Sequence, residues 1–245
     1  MRRLYGFAAQ ALRQMPDPAR TVVRQRLQRT NRSLPGRRID WGNIARHAPF
    51  SEDYGWDRGL PIDRYYIERF LTRRAKRIRG SVLEVQSPMY ASRLGHAERI
   101  TILDVEAGNP RADLIADLDE PGSVPVAAFD CVILTQVLQY TDPLVALRNV
   151  GDSLRPRGCA LITVPAISPV DTDGLRSDRW RWTPEGLRRA IHDAGLTATV
   201  EGCGDALSAV AFILGIAAEE MPPGRLDRQD SRYPIVTCAV VEAAG

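Results

Sequence analysis

Ser81-Val82-Leu83-Glu84-Val85-Gln86-Ser87-Pro88-Met89-Tyr90 is the stretch of this 245-residue chain that decides its fold. It begins with a short apolar run that closes on an acid, which is typical of a buried strand leading into a loop. Further apolar runs follow along the chain and alternate with helical patterns. Strands that are almost continuously apolar belong to parallel sheets covered by helices on both faces. The sequence therefore predicts an α/β fold.

The predicted elements follow from the periodicity of apolar residues and from the residues that start and stop helices. The predicted strands are Val82–Val85, Ile100–Val105, Ala112–Ala116, Phe129–Leu134, Cys159–Val164, Leu196–Glu201 and Ile235–Val241. The predicted helices are Ile62–Ile78, Pro143–Leu154, Thr183–Ala194 and Ala206–Glu220. Thr183 is expected to be the N-cap of its helix, with Pro184 at the first helical position. Together these elements predict a doubly wound, seven-stranded, mostly parallel sheet.

The first 40 residues differ in charge from the rest of the chain. They hold ten arginines against two aspartates, so their net charge is +8, whereas the whole chain carries +3. Apolar residues recur at helical spacing over residues 4–15, which predicts a basic amphipathic helix. Such a helix can pack on its own domain, bind a partner protein or lie on an anionic membrane surface. We expect a basic helical N-terminal arm over residues 1–49, with any such contact made through residues 1–35, and one domain over residues 50–245.

Composition and residue spacing also bear on compartment and partners. No apolar run approaches the roughly 18–20 residues of a membrane-spanning helix, and no clean apolar stretch follows Arg2-Arg3 as in a secretory signal. The four cysteines lack CxxC spacing and are expected to be buried free thiols of a cytoplasmic protein. Histidines and acids show no metal-ligand spacing, so no metal is predicted. No nucleic acid is expected to bind, because the alternation of aromatic and basic residues seen in RNA-binding sheets is missing.

Several short motifs accompany the predicted elements. They are Trp56-Asp57-Arg58-Gly59-x-Pro61-Ile62-Asp63-Arg64-Tyr65-Tyr66, Gly108-Asn109-Pro110, Ala116-Asp117-Leu118, Phe129-Asp130-Cys131-Val132-Ile133-Leu134-Thr135-Gln136-x-Leu138-Gln139-Tyr140, Leu154-x-Pro156-x-Gly158 and Trp180-x-Trp182-Thr183-Pro184. In order and spacing they resemble the class I (Rossmann-like) S-adenosylmethionine-dependent methyltransferases. The resemblance is to a small bacterial subgroup associated with polysaccharide and natural-product glycosylation genes.

This resemblance implies a Rossmann-like methyltransferase fold with S-adenosylmethionine as cofactor, but the cofactor loop departs from the family pattern. The family has Gly-x-Gly-x-Gly after the first strand, where this chain has Gln86, Pro88 and Tyr90. Glycine permits positive φ and a close approach of the backbone to a ligand, whereas proline fixes φ and removes an amide donor. Gln86 and Tyr90 are also expected to bring side chains into the space that a cofactor needs.

The cofactor-binding residues implied by the resemblance lie beyond the carboxyl ends of the strands, where ligands bind in such folds. Glu84 would organise the loop and the methionine end of the cofactor, and either Glu106 or Asp104 would accept the ribose hydroxyls. Asp117 would accept the adenine amino proton, while Leu118 covers the ring. The set is completed by Arg64, Tyr65, Gln86 and Thr135. Each of these residues could instead only cap a helix, pack against its own domain or lie solvated in a loop.

The acceptor is expected to lie near Gln136, Gln139 and Tyr140, which follow the fourth strand, because amides can orient a sugar or polyol hydroxyl without charge. Transfer to oxygen needs a base, for which the candidates are His47, Gln136 and Tyr140. The predicted activity is O-methylation of a small-molecule acceptor, a sugar or a polyhydroxylated and possibly glycosylated natural product. The alternative is a protein of this fold that no longer methylates, and that serves as a scaffold for a partner or catalyses a cofactor-independent biosynthetic step.

Overall fold

A computed structural model of the chain describes Ala19 and residues 42–45, 47–172 and 177–243. The chain divides into two units, Met1–His47 and Ala48–Gly245. In the first unit a 3₁₀ helix is described at Gly42–Ile44. The helical pattern of residues 4–15 lies outside the described residues, and so does all of segment 1–35 except Ala19.

The second unit is built on one seven-stranded sheet. Its strands are β1 (Arg79–Val85), β2 (His96–Asp104), β3 (Leu114–Ile115), β4 (Phe129–Thr135), β5 (Leu154–Pro165), β6 (Thr197–Cys203) and β7 (Val236–Glu242). They lie in the order β3-β2-β1-β4-β5-β7-β6. The neighbours from β3 to β5 are parallel, whereas β7 runs antiparallel to both β5 and β6. The predicted seven-stranded, mostly parallel sheet is confirmed.

Helices connect these strands. The α-helices described in this unit are α1 (Ile62–Thr72), α2 (Ala91–Leu94), α3 (Pro143–Ser153), α4 (Pro184–Asp193) and α5 (Ala206–Ile213). Thr183 caps α4 as predicted, because its hydroxyl oxygen accepts a hydrogen bond from the Gly186 amide at 3.1 Å. None of the described helices combines the length and the apolar character that crossing a bilayer requires.

Side chains of β4 show how helices cover both faces of the sheet. Successive strand residues point to opposite faces, so Cys131 and Ile133 pack in one apolar cluster with α1 and α5. Val132 and Leu134 pack in a second cluster with α3 and α4. Burial of each such aliphatic side chain stabilises the fold by about 1.5–3 kcal/mol. All four cysteines of the chain are buried, as expected.

Two helices are shorter than predicted. The helix predicted over Ile62–Ile78 stops at the end of α1 and is followed by a 3₁₀ turn, and the one predicted over Ala206–Glu220 stops at the end of α5. Gly215 explains the second boundary, since its φ is +68° and a left-handed glycine ends a helix. A Cβ atom at Gly215 would lie 2.4 Å from the Ser51 carbonyl oxygen. Only glycine therefore fits where the segment before α1 passes this turn.

Candidate functional site

A cavity of about 600 Å³ lies in the second unit at the carboxyl ends of the parallel strands. Its wall includes Gln86 after β1, Glu106 after β2, Asp117 after β3 and Gln136 after β4. The segment before α1 contributes Tyr54. Small-molecule sites typically enclose about 300–1,000 Å³. The cavity is therefore large enough for a cofactor or a substrate, and it lies where ligands bind in open α/β sheets.

Most of the residues predicted to bind a cofactor line this cavity. They are Arg64, Glu84, Gln86, Asp104, Glu106, Asp117, Leu118 and Thr135. The acceptor-side residues Gln136, Gln139 and Tyr140 line it as well. Tyr65 is not among the residues that line the cavity, and its role in binding a cofactor stays a prediction. Its hydroxyl donates to Asp227 at 3.3 Å and its ring packs edge-on against Tyr66, so its contacts lie elsewhere.

Strained backbone is concentrated around the cavity. Five described residues other than glycine have positive φ, and three of them line the cavity: Tyr54 (52°), Gln86 (70°) and Gln136 (55°). Such a conformation costs on the order of 1–3 kcal/mol and clusters at functional sites. Gln86 occupies the first of the three glycine positions of the family pattern. The loop therefore keeps the left-handed conformation at this position without a glycine.

The backbone amides of the loop between β1 and α2 are already used within the protein. The bonds are Gln86 N to Leu103 O (2.8 Å), Ser87 N to Val85 O (2.9 Å), Met89 N to Ser87 O (2.8 Å), Tyr90 N to Glu84 Oε1 (2.8 Å) and Ala91 N to Glu84 Oε2 (2.8 Å). Pro88 has no amide hydrogen. Residues 86–91 therefore offer no amide donor to a ligand, unlike the glycine loops of dinucleotide-binding folds. A ligand can be held here by side chains or by backbone carbonyl oxygens, but not by backbone amides.

Glu84 is the buried carboxylate that shapes this loop. It is 2% exposed, and both of its oxygens accept the amides at the start of α2. Burial raises the pKa of Glu84, while these amides oppose the shift. The neighbouring ring of Tyr90 is 1% exposed and packs in the apolar cluster that includes α1. Tyr90 was expected to fill cofactor space, but its ring forms part of the cavity wall instead, because α1 buries it.

The two acids after β2 differ in what they bind. Asp104 accepts the Glu106 amide at 3.0 Å and the side-chain amide of Asn109 at 2.6 Å. The same Asn109 nitrogen donates to the Gln86 carbonyl at 2.8 Å. Asn109 thus ties the loop after β1 to the loop after β2. Both oxygens of Asp104 are used locally, whereas the exposed Glu106 carboxylate makes no hydrogen bond or ion pair with the described residues and lines the cavity. Glu106 is the better placed of the two to accept ribose hydroxyls.

The loop after β3 combines a polar and an apolar side chain. Asp117 accepts the Asp119 amide at 2.8 Å, and its backbone carbonyl accepts the Ser123 hydroxyl. Leu118 is 5% exposed and belongs to the cluster that includes α3. These bonds fix the start of the loop, so a carboxylate and an apolar surface lie side by side on the cavity wall.

Tyr140 and Asp171 are joined on the other side of the cavity. The Tyr140 hydroxyl donates to the Asp171 carboxylate at 2.8 Å. Burial, and then this carboxylate, raise the pKa of Tyr140 well above its usual range. Asp171 was not predicted as a site residue, because it lies outside the motifs that follow the first four strands. The sequence indicated it only in that it follows another strand, β5, of the parallel part of the sheet.

The segment at the start of α1 brings a buried ion pair to the cavity. Asp63 is 9% exposed, and its carboxylate lies 3.7 Å from Nε of Arg64. Burial raises the pKa of Asp63, opposed by the charge of Arg64. Arg58, from the same motif, pairs instead with Glu220 outside the cavity lining. Arg64 is therefore the basic side chain that this motif supplies.

His47 and His192 are both exposed, and the described residues form no metal site. His47 is an exposed residue of the first unit and remains a predicted base. His192, on α4, has a side chain that is 80% exposed. Among the described parts of the chain, no three histidine, cysteine or acidic residues come together as a metal site.

Comparisons with known proteins identify the fold. No family model matches the chain, and no curated protein matches it. A chain from a complex of the Haloferax volcanii Trm112 methyltransferase activator with a methyltransferase is similar with a TM-score of 0.52 at 19% identity, over 75% of this chain and 92% of that one. The Mesorhizobium loti S-adenosylmethionine-dependent methyltransferase gives 0.48 at 18% identity, over 74% and 97%. The [4+2]-cyclase SpnF gives 0.49 at 18% identity, over 81% and 87%. The Haloferax likeness shows that this chain has the α/β fold of that structure.

Proposed function

We propose that the protein binds S-adenosylmethionine in this cavity and methylates a hydroxyl of a sugar or polyhydroxylated natural product. One observation supports the proposal: Glu84 near the end of β1, the acids Glu106 and Asp117 after β2 and β3, and the side-chain amides that follow β4 all line a single cavity. In an open α/β sheet these positions surround the ligand. The resemblance of the motifs to glycosylation-associated methyltransferases supports the acceptor class.

The residues present fit an adenosine group better than they fit a methionine group. Glu106 can accept both ribose hydroxyls, and Asp117 with Leu118 can accept the adenine amino proton and cover the ring. The loop after β1 has no amide to donate, so the methionine end must rely on the guanidinium of Arg64 for its carboxylate. When bound, S-adenosylmethionine supplies an electrophilic methyl group on a sulfonium.

The acceptor half of the cavity supplies orientation and a route for a proton. Gln136 and Gln139 can hold an acceptor hydroxyl by neutral hydrogen bonds. Tyr140 donates to Asp171, so a hydroxyl that donates to Tyr140 has a path along which its proton can reach a carboxylate. We assign proton acceptance to this pair, and His47 and Gln136 are the alternative bases.

Calorimetric titration of the full chain tests the proposal. S-adenosylmethionine and S-adenosylhomocysteine are expected to bind, and adenosine alone is expected to bind more tightly than methionine alone, because side chains rather than loop amides hold the cofactor. Absence of binding for all four ligands contradicts the proposal. Tighter binding of methionine than of adenosine contradicts the assignment of the residues.

A second candidate function rests on the loop amides. Because residues 86–91 have no amide to spare, a protein of this fold that no longer methylates would have the same loop. Such a protein could scaffold a biosynthetic partner or catalyse a cofactor-independent step. The same titration separates the two functions, since this candidate predicts no heat with any of the four ligands.

We further propose a cytoplasmic protein whose residues 1–49 form a basic arm. The net charge of +8 over the first 40 residues supports docking of residues 1–35 on a partner protein or an anionic membrane surface. Nucleic acid is not expected as a ligand.

A further inference from the structure

The outer face of α5 is apolar along its whole length. Its exposed residues are Ala206, Leu207, Val210 and Ile213. Leu207, Val210 and Ile213 are 46%, 50% and 40% exposed. Ser208 is the one polar residue of the helix, and it is fully buried. A surface helix normally carries polar residues on its outer face, and a helix that is apolar all round is normally covered. This face is therefore a candidate contact surface.

The inner face of the same helix reaches the cavity. Ala209, Ala211 and Phe212 pack in the apolar cluster that includes α1. Phe212 also lines the cavity, where its ring stacks with that of Tyr54 at a centroid distance of 6.4 Å. An α-helix with its side chains is about 10–12 Å across. Whatever covers the outer face of α5 would therefore lie about one helix diameter from the cavity.

Residues 225–233 pass the N-terminal end of α5. The Asp230 amide donates to the Gly204 carbonyl at 2.8 Å, and the Gly204 amide donates to the side-chain oxygen of Gln229 at 2.8 Å. The Tyr233 amide donates to the Asp230 carbonyl at 2.9 Å, and Tyr233 is 43% exposed. An exposed aromatic residue thus belongs to the segment that is bonded to the start of the helix.

This segment also carries a positive net charge. Residues 225–233 contain three arginines and two aspartates, a net charge of +1. Both aspartates pair with an arginine, Asp227 at 2.6 Å and Asp230 at 2.7 Å. Arg225 and Arg228 are exposed. Because the acids are already paired, the exposed guanidinium groups make this side of the apolar face attractive to an anionic surface.

The C-terminal end of α5 lies against the segment through which the chain enters the second unit. The Phe50 amide donates to the Leu214 carbonyl at 2.7 Å. A Cβ atom at Gly55 would lie 3.3 Å from the carbonyl oxygen of Gly215, so the two backbones are in close contact. Trp56 follows in the chain and is 47% exposed. The part of the chain that holds the +8 charge of residues 1–40 is covalently joined to this unit at residue 48.

These features favour an anionic lipid surface over a second copy of the chain. A stable protein interface buries about 800 Å² on each partner, which is far more than three half-exposed side chains supply. Binding to a lipid surface depends on a smaller apolar area together with the attraction of basic groups to anionic lipids. Tryptophan and tyrosine are also enriched at membrane–water interfaces.

We propose that the outer face of α5 docks on an anionic lipid surface. Leu207, Val210 and Ile213 enter the boundary between headgroups and acyl chains, and Arg225 and Arg228 face the lipid phosphates. This inference goes beyond the proposed function, which places any lipid or partner contact in residues 1–35. Docking through α5 holds the cavity about one helix diameter from the lipid surface.

A fluorophore attached at one position shows which face of the protein meets the lipid. Val210→Cys and Val126→Cys are each labelled in the full chain with an environment-sensitive thiol dye, which the four buried native cysteines disfavour reacting with. Val126 is 73% exposed and is followed by Ala127, whose amide bonds Asp152 of α3 on the opposite face of the sheet. Vesicles of phosphatidylcholine, alone or with about one-third phosphatidylglycerol, are the probes. We expect the emission of the label at position 210 to shift to shorter wavelength with the anionic vesicles, and the label at position 126 to stay unchanged.

A matched pair of unlabelled variants measures the contribution of the apolar face. Val210→Gln should lower the partition of the full chain onto anionic vesicles about threefold or more, because an amide replaces an aliphatic group at the lipid boundary. Val126→Gln makes the same change at the control position and should leave the partition unchanged. An equal loss in both variants overturns the inference.

The remaining outcomes separate this inference from the proposals above. Vesicle binding without a shift at position 210, or with equal shifts at both positions, overturns the inference and leaves lipid contact to residues 1–35. Binding to neither kind of vesicle overturns it as well. A shift at position 210 that grows with protein concentration in the absence of lipid would mean that a second copy covers α5, which also overturns it. The titration with S-adenosylmethionine tests the proposed activity separately from all of these results.

Discussion

Gln86 and Gln136 adopt the same left-handed backbone conformation after two adjacent strands, and equivalent hydrogen bonds to the backbone amide and carbonyl fix each of them. Their amides donate to Leu103 and Thr163 of the neighbouring strands, both at 2.8 Å. Their carbonyls accept side-chain amides, Gln86 from Asn109 at 2.8 Å and Gln136 from Gln139 at 2.9 Å. Two strained residues on either side of one cavity are thus fixed by four hydrogen bonds, which gives the loops that bear them a defined shape.

Two replacements of Gln86 distinguish the effect of its backbone conformation on stability from the effect of its side chain on cofactor binding. Gln86→Gly should be more stable than Gln86→Ala by about 1 kcal/mol, because glycine alone adopts a φ of +70° without a Cβ penalty. Urea unfolding of the two variants measures the difference. Both should bind S-adenosylmethionine more weakly than the parent chain, since both lose the amide side chain. Equal affinity in all three proteins would show that this side chain does not contact the cofactor.

The free energy of unfolding should depend on the charge as well as on the size of the side chain at position 109. Asn109→Ala removes three side-chain hydrogen bonds, two donated to Asp104 and the Gln86 carbonyl and one accepted from the Arg111 amide, and should lower the free energy of unfolding by about 2–3 kcal/mol. Asn109→Asp should cost more, because it sets a second carboxylate against Asp104 where the amide now lies at 2.6 Å. Urea unfolding at pH 7 gives both values. The reverse order of the two variants would refute the bridging role.

The adenosine contacts can be tested one at a time. Glu106→Ala and Asp117→Ala should each weaken S-adenosylmethionine binding by about 1–3 kcal/mol, the scale of a lost hydrogen bond with a stranded partner. Glu98→Ala is the matched control, because Glu98 is exposed on β2 away from the cavity lining. Calorimetry measures all three affinities. If neither site variant differs from the control, the cofactor does not lie between these acids.

Glu84 gives a pH-dependent prediction. Burial raises the pKa of Glu84 in the folded protein. The stability that protonated Glu84 contributes is therefore fully present below its ordinary pKa of about 4.3, and it is lost as the pH rises through the folded-state pKa. Glu84→Gln does not titrate and, like the protonated carboxyl, offers one strong acceptor oxygen to the two amides. The free energy of unfolding of the parent chain should therefore fall relative to that of the variant between pH 4 and pH 7. Unfolding curves over this range measure the difference, and a rise of the parent relative to the variant would contradict the sign.

The basic arm should contribute association rather than folding. A chain that begins at Leu34 is expected to keep its far-UV circular dichroism and its unfolding midpoint. It should also bind phosphatidylglycerol vesicles, or a co-purifying protein, more weakly than the full chain, because most of the +8 charge has been removed. Loss of the folded signal on truncation would instead make the arm part of the core.

Local sequence patterns predicted most of the strands and helices. The strands were recognisable because β4 and residues 159–164 of β5 are almost continuously apolar, and Thr183-Pro184 indicated the start of α4. The end of α5 was not predicted. The backbone of Ser51 packs against Gly215, and a contact between residues 164 positions apart cannot be recognised from local sequence. The antiparallel course of β7 depends in the same way on distant strands.

The wall of the cavity was predictable where a residue follows a strand directly. Glu106, Asp117 and Gln136 fall at the ends of successive strands, and the sheet brings such ends together. Tyr65 lies outside the cavity lining, because the helical position of a residue does not reveal which neighbour its side chain contacts. Asp53 and Asp171 lie in irregular segments, where position is set by tertiary contacts alone.

The place of β7 in the sheet has a consequence for how the protein is made. β6 pairs with β7 and not with β5, and β7 is encoded 33 residues after β6 ends. During synthesis β6 therefore has no strand to pair with until residues 236–242 leave the ribosome, and one edge of β5 stays open for the same interval. Unpaired strand edges invite aggregation. The nascent chain is thus vulnerable between the synthesis of β6 and that of β7, and a chaperone that shields the exposed edge of β5 would act in that interval.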